Sequence, residues 1–388
     1  MKEIFEFNTP ETVIIGGGAS SGLTQQVLNL GGKKVLIVTD PFILGTGIIE
    51  NLVKKLDAEK IETVVFSEVQ PDPTVNNVKA GLELLHSSHA NIIIAIGGGS
   101  PIDAAKAIAV MATNEAPLSN YMGYHKISRK GIPLIAIPTT AGTGSEASKV
   151  TVITDTEKNV KMMIFDKYLM PTVALVDFQL SVSMPRPLTA HVGVDTLTHG
   201  IEAYVSKKAN AMTNPLALSC IDLVSRNLFK AWNNPGDVSA REAMALAAFQ
   251  GGMAFTNSSV CLVHGMSRPL GALFHLAHGL SNAVLLPVVT RFSVMGNWER
   301  YATIARLMKF AKATESDEVS AMKLVDGLGA FNKNLEIPRL RDCGNINANK
   351  FEESLEKMAQ DAITSGSPQN NPVVPTIKNI IGLYGEAW

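Results

Sequence analysis

Asp195 and His199 stand four apart in VGVDTLTHGIE (192–202), a stretch with a helical period. On a helix both side chains leave one face, one turn apart, and a carboxylate and an imidazole placed so can grip a single cation. His191 and Glu202 fall near the same face, but a cation that keeps an open position needs only a few protein ligands. Alone, such a pair is a common surface feature.

A second cluster changes the weighing. Three of the eight histidines, His264, His275 and His278, fall in HGMSRPLGALFHLAHG (264–279). On one unbroken helix His264 and His278 would stand about 21 Å apart, too far to share a metal at bond lengths of about 2 Å. Pro269 and Gly271 lie between them and are expected to break the helix, letting the chain fold back and bring both imidazoles to one point. Two imidazoles and a carboxylate suit zinc and ferrous iron alike. Cys261 is a conceivable soft ligand, though a small buried side chain is the simpler reading.

Two glycine clusters compete for an anionic ligand. GGGASSG (16–22) follows a strand and imitates a dinucleotide fingerprint, with Asp40 at a suitable distance, but Ser21 stands where the third glycine belongs. GGGSPIDAAKAIA (97–109) leaves the apolar run 92–96 and opens a helix. Its glycines let backbone N–H groups approach phosphate oxygens at a helix N-terminus, which makes it the better cradle. A third loop, TTAGTGSE (139–146), sets hydroxyls at the end of the apolar run 133–138. Asp40, ending its own strand, could accept hydrogen bonds from an adenosine ribose and repel a 2′-phosphate, or be a turn aspartate.

These groups need a scaffold. Short β-branched runs at 11–15, 34–39, 63–66, 91–96, 133–138 and 172–176, with a helix at 74–86, imply a mainly parallel sheet covered on both faces. Beyond Pro185 the period turns helical: 188–204, 214–232, 240–255, 299–310 and 320–328. The expected organisation is an α/β domain over 1–185 and an all-α domain over 186–388, two domains being what 388 residues suit. A formal net charge of −1 offers no attraction to nucleic acid or an anionic membrane. Three widely spaced cysteines give no disulfide framework and no paired-cysteine zinc signature. The start, MKEIFEFNTPE, lacks a basic region and an apolar core, and the strongest apolar runs are strand-length. A cytoplasmic enzyme without membrane or nucleic-acid partners is expected.

Taken together, GGGSPIDAAKAIA, IPTTAGTGSEAS (137–148), GVDTLTHGIEAY (193–204), VHGM (263–266), HGLSNAVLLP (278–287) and LYGEAW (383–388) resemble the iron-containing (group III) alcohol dehydrogenase family along nearly the whole chain. The resemblance implies an N-terminal Rossmann-like α/β domain that binds NAD and a C-terminal helical domain that binds metal, the architecture shared with dehydroquinate synthase. It implies metal ligation by Asp195, His199, His264 and His278, with Fe2+ first and Zn2+ as the alternative. It assigns the pyrophosphate to Gly98, Gly99 and Ser100, with Asp103 in the same cofactor-binding set. Thr139, Thr140 and Thr143 fall beside the nicotinamide nucleotide, Asp40 near the adenosine ribose, and Lys161, in VKMMIFD, near the cofactor. A homodimer or larger homo-oligomer is implied as well.

One position departs from the family. Where members often carry a second histidine four residues after a metal histidine, this chain has Arg268. Arginine stays protonated and cannot relay protons in the ordinary way, but it can bind an anion bidentately. Arg268 is therefore expected either to receive a carboxylated substrate or to contact cofactor phosphate or a neighbouring acid; His275 either takes over the proton relay or caps a turn. The implied reaction is reversible hydride transfer between NAD and a small primary alcohol, diol or hydroxy acid. The rivals are a dehydroquinate-synthase-like lyase, which would need more basic residues for its phosphorylated substrate, and a non-catalytic nucleotide- or metal-binding relative.

Overall fold

The computed structural model describes residues 4–158, 160–344 and 346–388; the expectation drawn from the first eleven residues thus falls partly outside the described residues. Two units emerge, Asn8–Val182, and Ser183–Trp388 together with the segment ending at Phe7. In the first unit the strands are β1 (Thr12–Ile15), β2 (Lys34–Val38), β3 (Glu62–Phe66), β4 (Ile92–Gly97), β5 (Gly123–Tyr124), β6 (Leu134–Pro138), β7 (Val150–Asp155), β8 (Val160–Phe165) and β9 (Val173–Val176). Its helices are α1 (Leu23–Asn29), α2 (Pro41–Leu44), α3 (Ile48–Ala58), α4 (Val75–Ser88) and α5 (Gly99–Met111).

Six strands form one sheet in the order β1-β9-β6-β4-β2-β3, every pair parallel. Side chains of a strand alternate between faces, and the core divides accordingly. Leu36, Val38, Ile93, Ala95, Leu134 and Ala136 pack on one face. Val35, Ile37, Ile92, Ile94, Ile96, Ile135 and Ile137 pack on the other. Covering both faces is what a continuous apolar run demands, and each buried Val, Ile or Leu contributes roughly 1.5–3 kcal/mol. After β2 the chain moves outward to β3, then returns to place β4 on the other side of β2. The carboxyl ends of β2 and β4 therefore flank a switch point, the usual ligand crevice of such sheets.

The sequence reading missed a second sheet. β7 and β8 pair antiparallel, with β5 beside β8. Lys161 sits on β8, its ammonium 2.8 Å from Asp72.

Among the described residues the second unit contains helices and no strand: α6 (Arg186–Val205), α7 (Thr213–Asn233), α8 (Val238–Asn257), α9 (Leu262–Phe274), α10 (His278–Ser293), α11 (Trp298–Leu307), α12 (Asp317–Asn334), α13 (Ala348–Thr364) and α14 (Ile377–Ala387). The α/β-plus-all-α architecture is thus present. α6 is buried on nearly every side and packs against α7, α8 and α10. Its glycines make the approach possible: a Cβ at Gly193 would lie 2.2 Å from Leu228 Cδ1, and one at Gly200 2.9 Å from Ile221 Cγ1. α10 is apolar and long enough to cross a membrane by composition, yet it packs among α6, α9, α12 and α14.

The helix break between His264 and His278 lies later than expected. α9 runs through Pro269 and Gly271 to Phe274, and the chain turns at His275 in the left-handed region (φ 54°). Proline removes one helical hydrogen bond. The buried ridge Leu262, Met266, Leu270, Phe274, spaced i to i+4 across it, offsets that loss.

Candidate metal centre and cofactor loops

Asp195 and His199 project one turn apart from α6, and both are buried, at 1% and 3% exposure. His264 comes from the first turn of α9 and His278 from the first residue of α10. Packing fixes where α10 begins: a Cβ at Gly279 would lie 2.9 Å from His191 O on α6, so only glycine lets this turn sit against that helix. Gly251 on α8 leaves similar room beside His199, with its Cβ position 3.4 Å from His199 Cβ.

The three imidazoles converge on one carboxylate oxygen. Nε2 of His264, His199 and His278 stand 3.6, 3.9 and 4.0 Å from Asp195 Oδ1. Asp195, His199 and His264 form a buried triad with ligand atoms all within 4.8 Å of one another. His278 closes the group from a half-exposed position. The His199 ring stacks between Phe255 and His264 at centroid distances of 4.6 and 4.7 Å, which holds its plane.

The donor set fits a divalent cation. Ligands held about 2.1 Å from a tetrahedral centre lie about 3.4 Å apart, close to the spacing seen here. The polar atoms are also short of protons. Asn282, one turn after His278, points Nδ2 at Asp195 Oδ1 (2.6 Å), His264 Nε2 (3.1 Å) and His278 Nε2 (3.2 Å). An amide has two protons for these three acceptors, while its own Oδ1 is buried with no hydrogen bond. Burial alone would raise the Asp195 carboxyl, yet the imidazoles of His199, His278 and His264 hold it well below the usual carboxylate range. Burial likewise pushes the His264 imidazole down, but Asp195 and Glu202 on either side outweigh it and lift it to about 8.

Two residues here escaped the sequence reading. Asn282 carried a signal, the i+4 spacing from His278. The sequence places Glu202 only near the ligand face; it is 3% exposed and sits 2.7 Å from His264 Nδ1.

Arg268 follows His264 by one turn on α9, half-buried, and its Nη1 donates to Ser367 Oγ at 3.0 Å. His275 is exposed and forms the C-cap of α9, its N–H donating to Gly271 O.

In the first unit, the Gly16–Gly22 loop wraps an internal anion. Asp177 accepts from Gly18 N (3.0 Å), Ser20 N (3.1 Å) and Ser20 Oγ (2.6 Å). A phosphate there would meet a carboxylate already holding the donors. The second glycine loop leaves β4 at the switch point, with Gly98 as N-cap of α5 and Gly98, Gly99 and Ser100 half-buried. The other candidates gather round it. A Cβ at Gly97 would lie 3.3 Å from Asp40 Oδ2, at Gly98 3.5 Å from Thr140 Cγ2, and at Gly99 3.0 Å from Thr143 Cγ2. Thr139 N donates to Gly97 O at 2.9 Å. Asp40 also caps α2, accepting from Ile43 N with Oδ1.

Asp103 commits both carboxylate oxygens to protein donors, Ser145 Oγ (2.6 Å) and Val152 N (2.9 Å). Lys106, fully buried one turn later, donates to Ser145 Oγ, Ser148 Oγ and Val150 O at 3.0, 3.0 and 2.8 Å. Together they brace the Thr139–Ser148 loop against α5. Burial lowers the Lys106 ammonium to about 8 and raises the neighbouring Glu146 carboxyl to about 7.

Residues 10–178 match the family described as iron-containing alcohol dehydrogenase, and residues 189–388 match the C-terminal part of the Fe-containing alcohol dehydrogenase family. The chain is 37% identical over 381 residues to the NAD-dependent methanol dehydrogenase of Bacillus methanolicus, covering 98% of this chain and 99% of that one. It is 38% identical over 381 residues to lactaldehyde reductase of Escherichia coli strain K12, covering 97% and 98%. A solved structure of a 1,3-propanediol oxidoreductase matches with a TM-score of 0.96 at 36% identity, covering 100% of both chains. This chain belongs to the iron-containing alcohol dehydrogenase family. With the Asp195–His199–His264 triad, that membership makes it a metal-dependent, NAD-linked alcohol dehydrogenase.

Proposed function

We propose that the enzyme interconverts a small primary alcohol, diol or hydroxy acid with its aldehyde or ketone, using NAD and one divalent metal held by Asp195, His199, His264 and His278. The observation that carries this reading is the convergence of three imidazole Nε2 atoms on Asp195 Oδ1 at 3.6–4.0 Å. The relatives' names, methanol dehydrogenase, lactaldehyde reductase and 1,3-propanediol oxidoreductase, all denote small oxygenated substrates. Fe2+ is the metal of first choice and Zn2+ the alternative, since the donor set suits both.

A divalent cation in this site supplies Lewis-acid polarisation of the substrate oxygen. NAD supplies the hydride acceptor. The chain's own work is positioning. Gly98, Gly99 and Ser100 offer backbone N–H groups to the pyrophosphate at the start of α5. Thr139, Thr140 and Thr143 line the adjoining strand end for the nicotinamide nucleotide, and Asp103 and Lys106 brace their loop. Asp40 accepts from the adenosine ribose and disfavours a 2′-phosphate, which selects NAD over NADP. Lys161, paired with Asp72, contributes a positive charge on the cofactor side.

Arg268 cannot take up the alcohol proton; held by Ser367, it orients a polar or anionic substituent of the substrate. His275, exposed at the end of α9, passes the proton to solvent. The enzyme works as a cytoplasmic homo-oligomer; its three cysteines are free and buried, which suits a reducing compartment.

The test is an NAD-linked screen of the metal-stripped protein after loading with Fe2+, Zn2+, Ni2+ or Mn2+. Simple alcohols, 1,2- and 1,3-diols and hydroxy acids are compared, with the aldehydes assayed in reverse. Metal-dependent turnover of at least one class is expected; no turnover across the panel with any metal rejects the reading.

A further inference from the structure

Glu202 lies one turn beyond His199 on α6, and three donors converge on it from the next structural layer. Its Oε2 accepts from Cys261 N (2.8 Å) and faces His264 Nδ1 (2.7 Å), while Oε1 accepts from Val263 N (2.6 Å). Cys261 is the N-cap of α9 and offers no side-chain cap, so a carboxylate from another helix fills that role. Helix N-termini favour negative charge. With its oxygens all accepting, Glu202 leaves His264 Nδ1 one hydrogen-bonding role, that of donor.

The opposite side of the ring agrees. Asn282 Nδ2 lies 3.1 Å from His264 Nε2 and 2.6 Å from Asp195 Oδ1. Flipping the amide would set its oxygen against the Asp195 carboxylate, so Nδ2 is the atom that faces the site. An amide proton on that side is compatible with a lone pair on Nε2, and a metal on Nε2 requires one. With Nδ1–H directed towards Glu202, the ring presents Nε2 to the ligand cluster in the tautomer the metal-loaded site needs.

We infer that Glu202 is a positioning residue of the metal centre, fixing the tautomer and ring orientation of His264 and raising the donor strength of Nε2. The inference rests on the metal-site reading above. Carboxylate partners of ligating histidines act in this way, and losing one typically weakens metal binding 10- to 100-fold. The geometry also ties the site to the fold. The same carboxylate that caps α9 aims its first-turn histidine, so helix start and ligand are set together.

The experiment compares wild type with Glu202→Gln by competition titration of Zn2+ and by the visible absorption of the Co2+-loaded proteins. Glutamine keeps the size and removes the charge. Expected are a 10- to 100-fold weaker affinity, a changed cobalt spectrum, and thermal melting of the metal-free protein that is lowered by the weakened helix cap but stays cooperative. Equal affinity and an unchanged spectrum in the variant, beside normal binding by wild type, would overturn the role of Glu202 while leaving the metal site standing. Failure of wild type itself to bind any divalent ion would remove both. Should Glu202→Gln not fold, 15N-histidine NMR of the Zn2+-loaded wild type decides: a proton on His264 Nδ1 supports the inference, and metal on Nδ1 refutes it.

Discussion

His264 Nε2 stands 3.6 Å from Asp195 Oδ1, and the two residues reach that point from two helices, α9 and α6, that both pack against α10. Because Asp195 Oδ1 is the atom shared by all three imidazoles, its removal should cost more than that of any histidine. Asp195→Ala is expected to lower bound metal to near zero and kcat by more than about a hundredfold. His278→Ala, losing a half-exposed member of the group, should retain part of its metal. Elemental analysis after dialysis, alongside kcat, measures both. Full metal content in Asp195→Ala would contradict the assignment.

The two glycine loops can be told apart by substitution. A Cβ at Gly99 would press on Thr143 Cγ2 at 3.0 Å, so Gly99→Ala should raise the KM for NAD several-fold while melting changes modestly. Ser20→Ala removes the 2.6 Å hydrogen bond to Asp177. It should cost about 1 kcal/mol of stability and leave the KM for NAD unchanged. The reverse pattern would hand the pyrophosphate to the Gly16 loop.

Much of this was legible in the sequence because it depends on local periodicity. The short continuous apolar runs, bounded by glycine and proline, read as doubly covered strands, and the i, i+4 spacing puts Asp195 and His199 on one helix face. Long-range pairings were not legible. Nothing in GGGASSG announces that Asp177, far along the chain, will take up its N–H groups. Pro269 misled for a related reason: the cost of a helix proline is local, whereas the buried ridge that offsets it is tertiary. Burial alternates along β7 and β8, but their sequences, VTVITD and VKMMIF, do not alternate polar and apolar residues, so the hairpin carried no period-two signal. Glu202 sat at helical spacing from both ligands, yet its partner lies on another helix.

Glu146 gives a pH signature. Its carboxyl is raised by burial from 4.5 to about 7, so between those values the folded protein keeps a proton that the unfolded chain has released. Stability must therefore fall as pH rises through that window, by on the order of 3 kcal/mol in total. Lys106, lowered from 10.5 to about 8, acts in the opposite sense, with stability rising between pH 8 and 10.5. Glu146→Gln cannot ionise. Denaturant titrations at pH 4.5 and 7.5 should show wild type losing stability relative to this variant; parallel behaviour at both pH values would rule out a buried, titrating Glu146.

Arg268 decides substrate preference if its guanidinium reaches the substrate. It follows His264 by one turn, half-buried, and Ser367 Oγ holds Nη1 at 3.0 Å, which limits the rotamers available to it. An arginine held this way recognises a carboxylate by paired charge-assisted hydrogen bonds, each typically worth about 1.5–3 kcal/mol. Arg268→Ala should then lower kcat/KM for a hydroxy acid by about ten- to a hundredfold, while simple alcohols of the same length change less than about threefold. Ser367→Ala, which loosens the guanidinium without removing it, should produce a smaller loss in the same direction. An equal fall for charged and neutral substrates would instead assign Arg268 to the cofactor phosphates, and the KM for NAD would then rise with it.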